Sequence, residues 1–333
     1  MTAATEARAD TLPAFADVQA AAGRLAGKVV RTPLIGSAAL DELAGSRVLI
    51  KPEILQRTGS FKFRGAYNKI SRLGPEARAA GVVAYSSGNH AQGVAAAARL
   101  CGLPAVIVMP RDAPAIKIEN TRSYGAEVVL YERDSQSREA EAERIARERG
   151  ATVVRPYDDP EVIAGQGTCG LEIAEQCREL GVGLDALLIC CGGGGLTAGC
   201  ALAMAALSPA TALYSVEPAG FDDTARSLAA GERLGNAPGA RSICDALLSP
   251  TPGALTFEVN RRRLAGGLAV SDEEVRRAVA YAFRTLKLVV EPGGAVTLAA
   301  VLAGKLETAG RTVGIVLSGG NVDPESYAEI IRG

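Results

Sequence analysis

The chain has 333 residues, 48% of them hydrophobic, with 38 glycines, no tryptophan and a formal charge of −1. That length exceeds one small domain and supplies ample core, so one large domain or two intertwined domains are expected. The balanced charge leaves no basic surplus for a phosphate backbone, which argues against nucleic acid as a partner, and the single histidine, His90, argues against a structural zinc.

The seven cysteines (101, 169, 177, 190, 191, 200, 244) are odd in number, lack C-x-x-C spacing and mostly lie in apolar runs. This suits reduced, buried thiols and a cytoplasmic location. Glu6, Arg8 and Asp10 precede any apolar stretch, so no signal-peptide core is expected. Residues 186–216 carry no charge, but Gly192–Gly195 and Pro209 cut that run into strand- and helix-sized pieces. It reads as buried core, with no membrane partner.

In chain order, residues 14–25 form a short amphipathic helix, 31–34 a turn and 47–50 a strand. Next comes Ser60-Phe61-Lys62-Phe63-Arg64-Gly65, where one lysine stands between two of only six phenylalanines. With Ser60 as N-cap, Lys62 falls in the first turn of a helix. The helix dipole and apolar neighbours would both lower its pKa, toward an amine able to attack a carbonyl. The alternative is a surface lysine whose stem lies across Phe61 and Phe63.

From residue 82 the pattern becomes regular: strands at 82–85, 105–108 and 127–130 alternate with helices at 89–100, 113–124 and 138–149. It continues with strands at 152–154, 185–190 and 212–216 and helices at 160–177 and 196–207. After a stretch containing Pro238, Pro250 and Pro252 come a helix at 272–286, another from 294, and a strand at 313–317. Continuous apolar strands alternating with helices specify an α/β fold with two open, twisted, parallel-type sheets and helices on both faces. Residues 78–155 read as a small domain, and 1–77 plus 156–333 as a large one. No longer repeat and no low-complexity linker is present.

Ligands of such sheets bind at the carboxyl ends of the strands. Three loops stand there: Ser86-Ser87-Gly88-Asn89-His90, Gly192-Gly193-Gly194-Gly195-Leu196-Thr197 and Ser318-Gly319-Gly320-Asn321. The glycine loop ends a strand and opens a helix, an arrangement that holds phosphate through backbone N–H groups. Gly193-x-Gly195-x-x-Ala198, with Glu217 19 residues beyond Ala198, also fits a dinucleotide fingerprint and would predict an NAD-dependent oxidoreductase. That reading gives no role to Lys62 or to the polar loop at 86–90.

Together with Ala164-Gly165-Gln166-Gly167-Thr168 and Glu291-Pro292, these motifs resemble, over nearly the whole chain, the fold-type-II pyridoxal-phosphate (PLP) enzymes, a tryptophan synthase β-like fold. The resemblance is specifically to the serine/threonine dehydratase and serine racemase group. It implies that Lys62 carries the cofactor as a Schiff base, that Phe61 and Asn89 pack on its ring and 3′ oxygen, and that Gly192, Gly193, Gly194, Gly195 and Leu196 hold its phosphate within the large domain. It implies that Ser318 faces the pyridine nitrogen, and that Ser86, Ser87, Asn89 and His90 bind substrate. For His90 the plain alternative is a histidine satisfied by a neighbouring carbonyl.

A hydroxyl such as Ser318 does not hold a proton on the ring nitrogen, so prompt loss of a β-leaving group is favoured over a long-lived carbanion. The implied reaction is β-elimination from L-threonine or L-serine, to a 2-oxo acid and ammonia. Lys62 would remove the Cα proton, and a nearby acid, with the cofactor phosphate as one candidate, would protonate the leaving hydroxyl. Ser87 stands where racemases carry serine, so it is either a second acid for racemisation or a helix cap. Tyr157, where relatives commonly carry Asn, and Cys244-Asp245-Ala246 leave room for a larger substrate such as hydroxyaspartate or phenylserine. Glu217, the Phe221 carbonyl and Asp223 resemble the family's site for magnesium or calcium, although the aspartates could simply begin a helix. A homodimer is the family's habit. With 13 residues beyond Gly320, end-product inhibition through a C-terminal regulatory domain like that of biosynthetic threonine dehydratases is not expected.

Overall fold

The computed structural model describes residues 12–332, without 87, 114, 133, 134 and the side chains of 115 and 116. In chain order its strands are β1 (Ile35–Gly36), β2 (Arg47–Pro52), β3 (Val82–Tyr85), β4 (Ala105–Pro110), β5 (Glu127–Tyr131), β6 (Thr152–Val153), β7 (Ala186–Cys190), β8 (Ala212–Pro218), β9 (Gly266–Val270) and β10 (Thr312–Leu317). The larger sheet has the order β1-β2-β10-β7-β8-β9 and the smaller β5-β4-β3-β6. Every pairing is parallel except the short edge pair β1–β2. β4 and β7 are buried at every position, which is why their sequences are unbroken apolar runs.

The helix Pro160–Glu179 shows how local signals set an element that the site leans on. Asp159 caps it by accepting from the N–H groups of Glu161 and Val162, Pro160 occupies its first turn, and Arg178 stands in its last. The helix Gly195–Leu207 packs closely against it. A Cβ on Gly199 would lie 2.4 Å from the nitrogen of Gly167, so the contact requires glycine.

Three sequence expectations are corrected. Ser60 does not cap the helix Lys62–Ile70; Phe61 is its N-cap, and Ser60 is extended (φ −162°, ψ 161°) and bridged to Gly319. The helix expected at 272–286 is α-helical only over Asp272–Tyr281, and Ala282–Leu286 is a π-helical turn. β9 and the helices Ala38–Ala44, Pro75–Ala80, Ala254–Arg263 and Pro324–Arg332 were not anticipated. β9 opens with two glycines, poor strand formers, yet a Cβ on Gly267 would lie 2.5 Å from that of Ala225, so tertiary packing overrides propensity. The helix Ala254–Arg263 has no cap of its own and is capped by Asp158, 96 residues earlier, which accepts from Ala254 N at 3.0 Å.

Candidate active site

Adjacency of β2, β10 and β7 brings three loops together. The chain leaving β2 passes through two short 3-10 turns to Phe61, whose N–H donates to the Ser318 carbonyl at 3.1 Å, while Gly320 N donates to Gly59 O at 2.9 Å. Gly59 has φ +69°, and a Cβ there would lie 2.7 Å from Oδ1 of Asn321. Both facts require glycine at this crossing, which fixes Lys62 beside Ser318. Phe61, Lys62 and Ser318 line one cavity with Gly192–Gly195 and Leu196, while Ser86, Asn89 and His90 reach it from the end of β3. Ser87 lies outside the described residues.

Lys62 Nζ donates to the carbonyl of Pro156 at 2.7 Å and stands 5.1 Å from the Phe61 ring centroid. Burial pulls its pKa from the ordinary lysine value down to about 8, against the pull of the Glu291 carboxylate in the opposite direction. A substantial share of the amine is therefore neutral near pH 8.

The glycine loop is shaped from behind. Thr256 Oγ1 donates to the Gly193 carbonyl at 2.7 Å. A Cβ on Gly193 would lie 2.4 Å from the Tyr157 ring, and Gly194 has φ +90°. No side chain caps the helix Gly195–Leu207, whose first-turn N–H groups have no carbonyl one turn back. Lys62, Lys117 and Arg138 line the same cavity. A cradle of free N–H groups, a poised amine and two further cations fit PLP, an aldehyde bearing a phosphate.

Asn89 donates through Nδ2 to Glu291 Oε1 at 2.5 Å and accepts from Asn321 Nδ2 at 2.7 Å. Glu291 is 3% exposed, and burial followed by the charge of Asp245 raises its pKa to about 8. His90 donates from Nε2 to the Val154 carbonyl at 2.8 Å, which leaves Nδ1 as an acceptor with no partner. Burial, with the Lys62 charge second, lowers the His90 pKa to about 3, so the ring is neutral.

Glu291, Tyr157, Lys117, Arg138 and Asp245 also line this cavity; from sequence Tyr157 and Asp245 were tied to the size of the substrate pocket, whereas Lys117, Arg138 and Glu291 were given no role of their own there. Lys117 and Arg138 follow β4 and β5, strand ends that the carboxyl-end rule points to. Both lie in helices that read as ordinary solvated faces.

The proposed cation loop lies one strand further along the large sheet and does not line the cavity. Glu217 accepts from the N–H groups of Thr224 (3.0 Å) and Ala225 (2.8 Å), so it caps the helix Asp223–Ala230. Asp223 Oδ1 accepts from Asn236 Nδ2 at 2.7 Å, whereas its Oδ2 is buried without a partner. Burial raises Glu217 to about 8, with Asp223 adding to the shift, and raises Asp223 to about 6. Among the described residues no cluster of three or more His, Cys, Asp or Glu side chains could hold a metal.

A doubly sheeted α/β scaffold that converges an amine of lowered pKa on an anion cradle is that of an enzyme working through a lysine-bound, phosphorylated carbonyl cofactor. Residues 25–319 match the family model described as pyridoxal-phosphate dependent enzyme, and the chain belongs to that family. It is 46% identical over 322 residues to an L-threo-3-hydroxyaspartate ammonia-lyase of Pseudomonas sp, covering 97% of this chain and 99% of that protein. It is 39% identical to a serine racemase of Schizosaccharomyces pombe, covering 96% of this chain and 98% of the relative. The crystal structure of a T.th. threonine deaminase superposes with a TM-score of 0.87 at 46% identity, covering 93% of this chain and 99% of that one. The group thus holds ammonia-lyases and racemases, and the glycine loop belongs to a PLP enzyme rather than to a dinucleotide-binding one.

Proposed function

We propose that the enzyme eliminates the β-hydroxyl of an amino acid with a second acidic group, of the 3-hydroxyaspartate class, giving a 2-oxo dicarboxylic acid and ammonia. This takes up the larger-substrate alternative in place of the first expectation, L-threonine or L-serine. The observation that carries it is the pair of cations Lys117 and Arg138 in the wall of the cavity that holds Lys62. Serine or threonine offers those cations nothing, whereas a distal carboxylate gives each a charged acceptor. A hydroxyaspartate ammonia-lyase is among the relatives at 46% identity, the same figure as for the threonine deaminase, so the choice of substrate rests on the two cations.

When bound, PLP supplies the electron sink that makes the α-proton removable. The amine of Lys62 takes that proton. Gly192–Gly195 and the first turn of the following helix hold the phosphate, and Phe61 and Ser318 would flank the ring. Ser86, Asn89 and neutral His90 receive the α-carboxylate, with Asn89 held in place by Glu291 and Asn321. The Arg138 guanidinium, 5.7 Å from the Tyr85 ring centroid and bonded through Nε to Glu139, has no further hydrogen-bond partner among the described residues and would offer its remaining donors to the distal carboxylate. A divalent cation at Glu217, Asp223 and the Phe221 carbonyl would neutralise two buried carboxyl groups and give the orphaned Oδ2 of Asp223 a partner.

Ammonia and 2-oxo acid release from L-threo-3-hydroxyaspartate, L-threonine and L-serine tests the reading. The expected kcat/KM is at least about tenfold higher for hydroxyaspartate, one hydrogen bond to a charged group being worth roughly that factor. Arg138→Ala should remove most of the preference through KM. Equal or better turnover of threonine, or D-serine formed faster than any 2-oxo acid, would refute it.

A further inference from the structure

Both cations of the cavity already carry a carboxylate, but of different kinds. Arg138 is paired with its sequence neighbour Glu139. Lys117 is paired with a residue 128 positions away, its Nζ donating to Asp245 Oδ2 at 2.5 Å. The Lys117 side chain is 12% exposed and that of Asp245 53%, so the lysine lies in the wall and the aspartate at the rim. Lys117 sits on the helix Ala115–Ser123 that follows β4 of the small sheet. Asp245 opens the short 3-10 turn Asp245–Leu247, which abuts the glycine loop: a Cβ on Gly192 would lie 3.2 Å from the Leu247 Cα. The two charges act with opposite sign on the buried Glu291, which lines the same cavity.

We propose that Asp245 sets the charge selectivity of the enzyme, its carboxylate standing in at Lys117 for the distal carboxylate of the substrate, which must displace it. The idea rests on the dianionic-substrate reading above. A dicarboxylic ligand exchanges one carboxylate for another at Lys117, and the released Asp245 turns to solvent from the rim. A monocarboxylic ligand leaves the pair intact. Asp245 therefore opposes dianions twice, by occupying the cation and by its own negative charge, and leaves monoanions nearly untouched.

The test measures inhibition constants of succinate and butyrate, ligands of equal carbon number and unequal charge, on the PLP-loaded enzyme. Asp245→Asn should tighten succinate by about tenfold while the butyrate constant moves by less than about twofold. Asp245→Glu, which keeps the charge, should retain wild-type selectivity, and Asp245→Ser should behave as Asp245→Asn does. An unchanged or weakened succinate constant in both neutral variants overturns the proposal, because Asp245 would then only position Lys117. The dianionic reading fails separately. In that case wild-type enzyme binds succinate no better than butyrate, and Lys117→Ala changes neither.

Discussion

Asn89 Nδ2 meets Glu291 Oε1 at 2.5 Å across 202 residues of sequence, joining the loop after β3 to the helix Pro292–Leu302 at the wall of the cavity. Removing the acceptor leaves a buried amide donor unpaired, which costs about 1–3 kcal/mol. Glu291→Ala is therefore expected to lower kcat/KM by roughly 10- to 100-fold. Glu291→Gln, which still offers an oxygen, should recover most of that loss in the same steady-state assay.

His90 is the only imidazole in the chain, so its titration can be followed as a single ring-proton NMR signal. Its folded pKa of about 3 lies below the ordinary value near 6.5. The unfolded chain thus binds the proton first, and the stability due to neutral His90 is complete above about pH 6.5 and declines as the pH falls toward 3. The signal should show no midpoint between pH 5 and 8. The melting-temperature advantage of wild type over His90→Gln should shrink on acidification. A midpoint near 6.5 would contradict the buried, carbonyl-bonded ring.

Two residues beyond Lys62, the fully buried Arg64 pairs with both Glu53 and Glu172 at 2.7 Å, and Lys51 shares Glu172. Arg64→Met leaves two carboxylates without their main partner and should cost about 3–5 kcal/mol. For a chain of this size that is on the order of a 10 °C fall in melting temperature by calorimetry. Arg144→Ala, on an exposed helix face, should hardly move it.

The parallel sheets were legible because burial on both faces writes an unmistakable signal: Ala186–Cys190 and Ala105–Pro110 are apolar throughout. The glycine loop and Lys62 stood out because a glycine run closing a strand and a lysine between two phenylalanines are local patterns, and the structure brings both to one cavity. Lys117 was not legible, and Asp245 stood out only as part of a motif that left room for a larger substrate. Their meaning lies in a contact spanning 128 residues, and a lysine in a helix reads as solvated until tertiary structure turns it inward. Ser60 looked like a cap, but the chain uses Ser60 to bridge to Gly319, a contact that no local pattern encodes.

If a divalent cation binds at Glu217 and Asp223, magnesium or calcium should raise the melting temperature, since a ligand that binds only the folded state stabilises it by mass action. Chelator should reverse the rise, and the double variant Glu217→Gln, Asp223→Asn should abolish the response. A melting temperature indifferent to cation, chelator and substitution would leave Glu217 as a helix cap only.

The claim that Lys62 bears the cofactor is tested most directly by borohydride treatment of the purified enzyme, followed by peptide mapping. A yellow protein whose visible band vanishes on reduction, with the pyridoxyl mass on the peptide containing Lys62, is the expected result. Retention of the cofactor and the band by Lys62→Ala, or the label on another lysine, would contradict it.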